Sequence, residues 1–154
     1  MIVSLKKADL HDCEKIHQMQ ILGFKALLEA YQDFETNPGA ETLEQVKKRF
    51  EYTQIDHYFV RLRDDDIGYI RIRALDPHTC RLSQILILPE HQGNGYAQQA
   101  IRQVETRYPL AKRWLLNTIE QERKLCHLYE KLGYRLTGTR EKIKDGMDLV
   151  DYEK

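Results

Sequence analysis

Ile85-Leu86-Ile87-Leu88-Pro89-Glu90-His91-Gln92-Gly93-Asn94-Gly95-Tyr96-Ala97 is the stretch that decides how this chain folds. Four aliphatic residues in succession suit a strand buried on both faces, in the middle of a sheet. Pro89 stops that run, and Ala97 to Tyr108 reads as a helix with Ala100, Ile101 and Val104 turned inward. A buried strand, a glycine-containing loop and a helix N-terminus therefore follow one another. The first turn of a helix leaves backbone N–H groups without partners, and the helix dipole adds partial positive charge there. Glycines let a bulky phosphate approach the backbone with no Cβ in the way, so the loop is a candidate anion site. A Walker loop is excluded because no Gly-Lys-Ser/Thr follows, and G-x-G-x-x-G fails at Gln98, where the third glycine belongs. What remains, Gln92-x-x-Gly95-x-Ala97, also fits an ordinary strand-to-helix turn when taken alone.

On the N-terminal side, Asp9 is a candidate N-cap for one long helix. Its face would carry Leu10, Cys13, Ile16, Gln20, Phe24, Leu27, Leu28 and Tyr31. Thr36-Asn37-Pro38-Gly39 ends it, and Thr42-Leu43-Glu44-Gln45 predicts a capping box opening a second helix with Leu43, Val46 and Phe50 inward. The period then changes. Tyr58–Leu62 and Ile67–Ala74 are rich in β-branched and aromatic residues, with Asp64-Asp65-Asp66 as the hairpin loop between them. Cys80–Leu88 is the next strand. Beyond the glycine loop and its helix, Trp114-Leu115-Leu116-Asn117 is a short buried strand. Glu122–Lys131 is a helix with Leu125, Leu128, Tyr129 and Leu132 as one stripe, capped by Gly133. Tyr134–Ile143 and Met147–Tyr152 form a hairpin across Lys144-Asp145-Gly146. Helices between the later strands demand parallel pairing, whereas the hairpins demand antiparallel pairing. The expected fold is a mixed α/β arrangement: a sheet of six or seven strands with helices on both faces, one domain over residues 1–154.

Of 154 residues, 42% are hydrophobic and 31% charged, which suits a globule and argues against disorder. Lys plus Arg and Asp plus Glu each number 24, so no basic excess is present to neutralise nucleic-acid phosphates. No apolar run approaches the roughly 20 residues a bilayer span needs, and Met1-Ile2-Val3-Ser4-Leu5-Lys6-Lys7 is not a signal peptide. The expectation is a cytoplasmic protein with neither a nucleic-acid nor a membrane partner. Cys13, Cys80 and Cys126 are odd in number and far apart, as suits buried thiols in a reducing compartment. The six histidines show no metal-ligand spacing, so no metal is expected.

A second constellation, Leu128-Tyr129-Glu130-Lys131-Leu132-Gly133-Tyr134, gives the glycine loop its context. Together with Ile87-Leu88-Pro89, Gln92, Gly95 and Ala97, it closely resembles the GNAT family of acyl-CoA-dependent N-acetyltransferases, with Tyr134 where a phenylalanine is usual. The resemblance covers essentially the whole chain. It implies an acyltransferase using acetyl-CoA as cosubstrate and a primary amine as acceptor, without a metal. It implies that backbone N–H groups of Gly93, Asn94, Gly95, Tyr96, Ala97 and Gln98 hold the cofactor's pyrophosphate beside Gln92. It further implies that Ile85, Leu86 and Ile87 pair with the pantetheine arm where this strand splays from that of Trp114–Asn117. Family members often form homodimers.

Acetyl transfer needs a neutral amine, a polarised carbonyl and a proton for the departing thiolate. Tyr129 matches the family's proton donor, and a phenol with a pKa near 10 can fill that role without ionising at neutral pH. On its own it also suits a core aromatic of the Leu125–Leu132 stripe. Asn117 stands where many relatives carry a carboxylate, and Glu122 where an asparagine is common, so the base stays unassigned. Glu120 is either an exposed loop carboxylate or a relay through water. From Glu29 to Val46 there are five acids (Glu29, Asp33, Glu35, Glu41, Glu44) and no Lys or Arg. That segment is either a solvated surface or an acidic mouth, with Asp33 or Glu35 meeting a cationic amine. The acceptor is expected to be a small molecule. The alternatives are a peptide or protein amine, or a non-catalytic acyl-CoA-binding sensor.

Overall fold

The computed structural model describes residues 1–154. Strands β1 (Ser4–Lys7), β2 (Ile55–Leu62), β3 (Asp65–Asp76), β4 (Thr79–Ile87), β5 (Arg113–Ile119), β6 (Arg135–Lys144) and β7 (Met147–Glu153) form one sheet in the order β1-β2-β3-β4-β5-β7-β6. Helices α1 (Cys13–Gly23), α2 (Lys25–Tyr31) and α3 (Leu43–Arg49) precede β2, while α4 (Tyr96–Thr106) and α5 (Arg123–Lys131) lie either side of β5. All neighbouring strands are antiparallel except β4 and β5, joined through α4. The mixed sheet with helices on both faces is what the alternation of periods requires. No helix is long and apolar enough to cross a membrane.

Two cores follow from the pleat, since alternate residues of each strand face opposite sides. Ile70, Ile72, Ile87, Leu116 and Val150 pack against Ala100, Ile101 and Val104 of α4 and Cys126 and Tyr129 of α5. On the other face Phe59, Tyr69 and Leu86 meet Cys13, Ile16 and Met19 of α1 and Val46 of α3. That second cluster draws only on β2, β3 and β4, so α1–α3 cover one half of their face. All three cysteines are buried and unpaired.

Two local expectations need correction. The single helix from Leu10 to Tyr31 is divided: an Asp9–Asp12 capping box holds a 3-10 turn, and the chain breaks again at Phe24 (φ −105°, ψ 5°) before α2. Gly23 sits against β4 at this break, where an added Cβ would lie 3.0 Å from Leu86 Cδ1. Asp65 and Asp66 are not loop residues either. Leu62 pairs with Asp65, leaving Arg63 and Asp64 as the turn, and Arg61 and Lys15 clamp the Asp66 carboxylate. Opposite charges on neighbouring elements overrode the low strand propensity of aspartate. The Thr42–Gln45 capping box is present in both directions.

Candidate active site

β4 and β5 pair only at Thr79–Arg113, Cys80–Trp114 and Arg81–Leu115. Beyond Arg81 the two strands run on, to Ile87 and Ile119, without another rung, which is the splay the family resemblance implied. Its cause lies on the other edge of β4, where the register with β3 shifts between Arg71 and Ile72 and re-aims the strand. β3 holds the end of β4 closely: Gly68 faces Ile87, and a Cβ on Gly68 would sit 2.4 Å from the Leu86 carbonyl oxygen. Ile85, Leu86 and Ile87 are thus pinned on one side and open to pairing on the other.

The loop after β4 is held by its own side chains. Gln92 Nε2 donates to the Ile87 carbonyl at 2.8 Å, and Asn94 Nδ2 donates to the carbonyls of His91 (3.0 Å) and Gln92 (3.2 Å). Gly93 (φ 80°) and Gly95 (φ 79°) adopt the left-handed backbone that side chains resist, with open space where a Cβ would stand. The first N–H of α4 with an intrahelical acceptor is Gln99, bonded to the Gly95 carbonyl at 3.1 Å. The six preceding N–H groups, Gly93 to Gln98, have no acceptor within the chain. They form a donor row at the positive end of a helix, suited to a diphosphate. Gln92 and Asn94 shape the row through their side chains, and the donors themselves are backbone.

The second motif fixes one tyrosine. Gly133 (φ 98°) follows the end of α5, its N–H bonding the Glu130 carbonyl at 3.0 Å while Tyr134 N–H bonds that of Tyr129, also at 3.0 Å. This is a Schellman closure. It sends the Tyr134 ring into the core, edge-on to Tyr129 with centroids 6.2 Å apart; Tyr152 flanks Tyr129 at 6.3 Å. Tyr129 is buried and, unlike its neighbours, makes no side-chain hydrogen bond: Tyr134 donates to Glu105 at 3.0 Å and Tyr152 to Glu130 at 2.8 Å. Burial, followed by the Cys126 sulfur, raises the Tyr129 pKa above the ordinary phenol value. The hydroxyl stays protonated and uncommitted.

The carboxylates are distributed differently from the sequence expectation. Asp33 is not a free mouth residue. It is 5% exposed and accepts from the N–H groups of Glu35 and Thr36 and from the Thr36 hydroxyl, which closes the turn after α2. Glu35 remains exposed. Glu41 is held by Arg49 and Gln20. Glu120 pairs with Arg140. Glu122 accepts from the Tyr31 hydroxyl at 2.5 Å, tying α2 to the start of α5 and holding Tyr31 protonated with a pKa pushed up to about 12, burial being the larger cause. Asn117 is exposed, and its cross-strand partner on β7 is Asp151, a carboxylate missed in the linear sequence because only the hairpin register brings it there. No three His, Cys, Asp or Glu side chains gather as a metal would require.

Under α1 and α3, three buried polar atoms lack partners: His57 Nε2, Arg71 Nη1 and Gln84 Oε1. His57 stacks on Phe50 (3.7 Å between centroids), and its Nδ1 lies 2.6 Å from the Tyr69 hydroxyl. Burial, then the Arg71 charge, pushes its pKa from 6.5 down to about 4. As pH falls below 6.5 the unfolded chain therefore takes up a proton that the fold refuses. This stability is complete above that pH and is lost between about 6.5 and about 4. The loss between pH 7 and pH 5 should be about 2 kcal/mol. Melting temperatures at the two pH values measure it; an equal drop in His57→Gln would assign the loss to other groups.

A sequence model of the acetyltransferase (GNAT) family matches residues 24–134, which take in the splayed strand, the donor loop and the tyrosine helix. The chain belongs to the GNAT family. Its fold is that of solved GNAT acetyltransferases. An acetyltransferase from Thermus thermophilus superposes with TM-score 0.77 at 18% identity, covering 100% of this chain and 97% of that one. A spermidine N-acetyltransferase from Vibrio cholerae, in complex with CoA and spermine, gives 0.79 at 19%, covering 99% and 94%. An enzyme from Salmonella typhimurium that modifies the N-terminal serine of a 50S ribosomal protein gives 0.78 at 16%, covering 100% and 95%. A search of curated protein sequences returned no match. The GNAT assignment makes the chain an acetyl-CoA-dependent N-acetyltransferase.

Proposed function

We propose that this GNAT enzyme moves the acetyl group of acetyl-CoA to the primary amine of a small molecule in the cytoplasm. One observation carries the reading: six successive unpaired N–H groups adjoin a strand edge left open by the splay. Gly93, Asn94, Gly95, Tyr96, Ala97 and Gln98 hold the pyrophosphate through the backbone, and Gln92 keeps the loop in place. Ile85, Leu86 and Ile87 pair with the pantetheine arm, and the bound thioester supplies an activated acetyl group. The ammonium first loses a proton to solvent. The neutral amine then forms a C–N bond to the acetyl carbon as the C–S bond breaks, Tyr129 supplies a proton to the leaving sulfur, and the proton shed by the new amide nitrogen restores the phenol through solvent. Structural relatives that acetylate spermidine and a ribosomal protein support an amine acceptor, small or polymeric.

Calorimetry with coenzyme A should show micromolar association, and a panel of amines should stimulate thiol release from acetyl-CoA. Asn117, where relatives have a carboxylate, favours one competing reading, a binding module without catalysis. Association with coenzyme A but no amine-stimulated release would establish that reading, and no association would refute both.

A further inference from the structure

The half of the sheet that α1–α3 leave uncovered contains a cleft of about 290 Å³ beside the base of the splay. Its lining includes Arg81 of β4, Arg113 and Leu115 of β5, Thr137 and Thr139 of β6, and Asp151 of β7. Arg113 is neutralised by Glu153, with contacts of 2.5 and 3.1 Å. Arg81 and Asp151 form no ion pair, with each other or with any other residue. The cleft therefore presents one free cation and one free anion.

Their positions follow from the register. Arg81 is the last β4 residue paired to β5, opposite Leu115, which pairs with Glu153; Asp151 lies two residues from Glu153, opposite Asn117. Two strand spacings and two residue rises separate the Cα atoms by about 12 Å, which leaves room for a small molecule between the two side chains. Asp151 lies level with the open splay, and Arg81 marks its closed end. Arg81 also faces Arg73 directly across β3–β4, and the neighbouring row carries Arg71 with its buried, unpartnered Nη1. Like charges opposed across a sheet cost stability, so this arrangement calls for an anion at Arg81.

We infer that the acceptor is a small zwitterion, an amino acid in the chemical sense, whose ammonium rests on Asp151 and whose carboxylate is held by Arg81. Thr137 and Thr139, on the edge strand β6 beyond β7, line the Asp151 side of the cleft. The inference rests on the acetyl transfer proposed above. Of the acidic segment, Asp33 and Glu41 are committed elsewhere, whereas the floor beside the splay is arginine-bearing.

The test compares the common amino acids with their carboxamides and with spermidine as acceptors, following thiol release from acetyl-CoA. The free acids should exceed their carboxamides in kcat/KM by about tenfold or more, the discrimination expected of a charged hydrogen bond. Arg81→Gln should collapse that ratio towards one. Arg81→Lys should keep part of it, and Lys142→Gln on the exposed hairpin should keep all of it. Equal use of acids and carboxamides, a preference for spermidine, or coenzyme A binding without turnover of any acid overturns the zwitterion and leaves the cosubstrate site standing. Failure to bind coenzyme A removes both.

Discussion

Tyr129→Phe should lower kcat about a hundredfold or more while leaving coenzyme A affinity and the melting temperature close to wild type. The expectation of unchanged stability comes from the hydroxyl having no partner to lose. Tyr134 and Tyr152 each donate to a glutamate, so removing their oxygens would cost a hydrogen bond, whereas Tyr129 offers its oxygen to no protein group. The ring packing against Tyr134 and Tyr152 survives in phenylalanine. Because burial holds the phenol protonated, the donor is ready across the neutral range and should contribute no ionisation to the kcat profile there. An unchanged kcat, or a loss of stability in step with the loss of rate, would return Tyr129 to the status of a core aromatic. Tyr134→Phe is the contrast: stability should fall first.

The two motifs were legible in the sequence because each is a statement about backbone. Gly93 and Gly95 mark left-handed positions, and the Leu132-Gly133-Tyr134 segment spells out a helix closure whose last residue must turn inward. Such local geometry travels with local sequence. Side-chain allegiance across the sheet does not. Asp66 reads as part of an acidic loop until Lys15, 51 positions away, is placed beside it. Asp33 reads as a free charge until the turn after α2 folds its own N–H groups onto it. The helix break at Phe24 is similarly tertiary: periodicity continues through it, and the contact of Gly23 with Leu86 is invisible until β4 lies underneath.

The acceptor side was the least legible part for the same reason. Asn117 invited a search for a replacement carboxylate nearby in the chain, where Glu120 and Glu122 stand, and both prove to be committed, to Arg140 and Tyr31. Asp151 reaches Asn117 only through the β5–β7 register, which depends on the Asp145-Gly146 turn and the return of β7 between β5 and β6. Net charge was equally uninformative, since zero overall conceals an arginine-bearing floor on the open half of one sheet face and a stretch from Glu29 to Val46 with five acids and no Lys or Arg in the segment that covers the other half. On the function proposed, cofactor recognition would be backbone chemistry, which shows itself in glycine spacing, whereas acceptor recognition would be side-chain chemistry gathered across separate strands.

Gly95→Asp separates the two roles of the donor loop, helix start and anion site, and should abolish most coenzyme A binding without unfolding the protein. Gly95 occupies the N-cap of α4, where aspartate is among the preferred residues, and nothing lies within 4 Å of the added Cβ. Aspartate gains only a few tenths of a kcal/mol over glycine as an N-cap, while the left-handed backbone costs a side-chain residue about 1 kcal/mol, so the melting temperature should fall by a few degrees with the fold intact. The new carboxylate, however, lies beside the same N–H groups that a diphosphate requires, and it repels the incoming anion. An approximately hundredfold rise in Kd, or about 2.7 kcal/mol, is expected by calorimetry. Gly95→Asn has the same shape without the charge and should recover much of the affinity, as should raising the ionic strength for Gly95→Asp relative to wild type. If the aspartate variant binds coenzyme A as tightly as wild type, the diphosphate does not sit on this helix, and the unpaired amides of Gly93 to Gln98 serve only water.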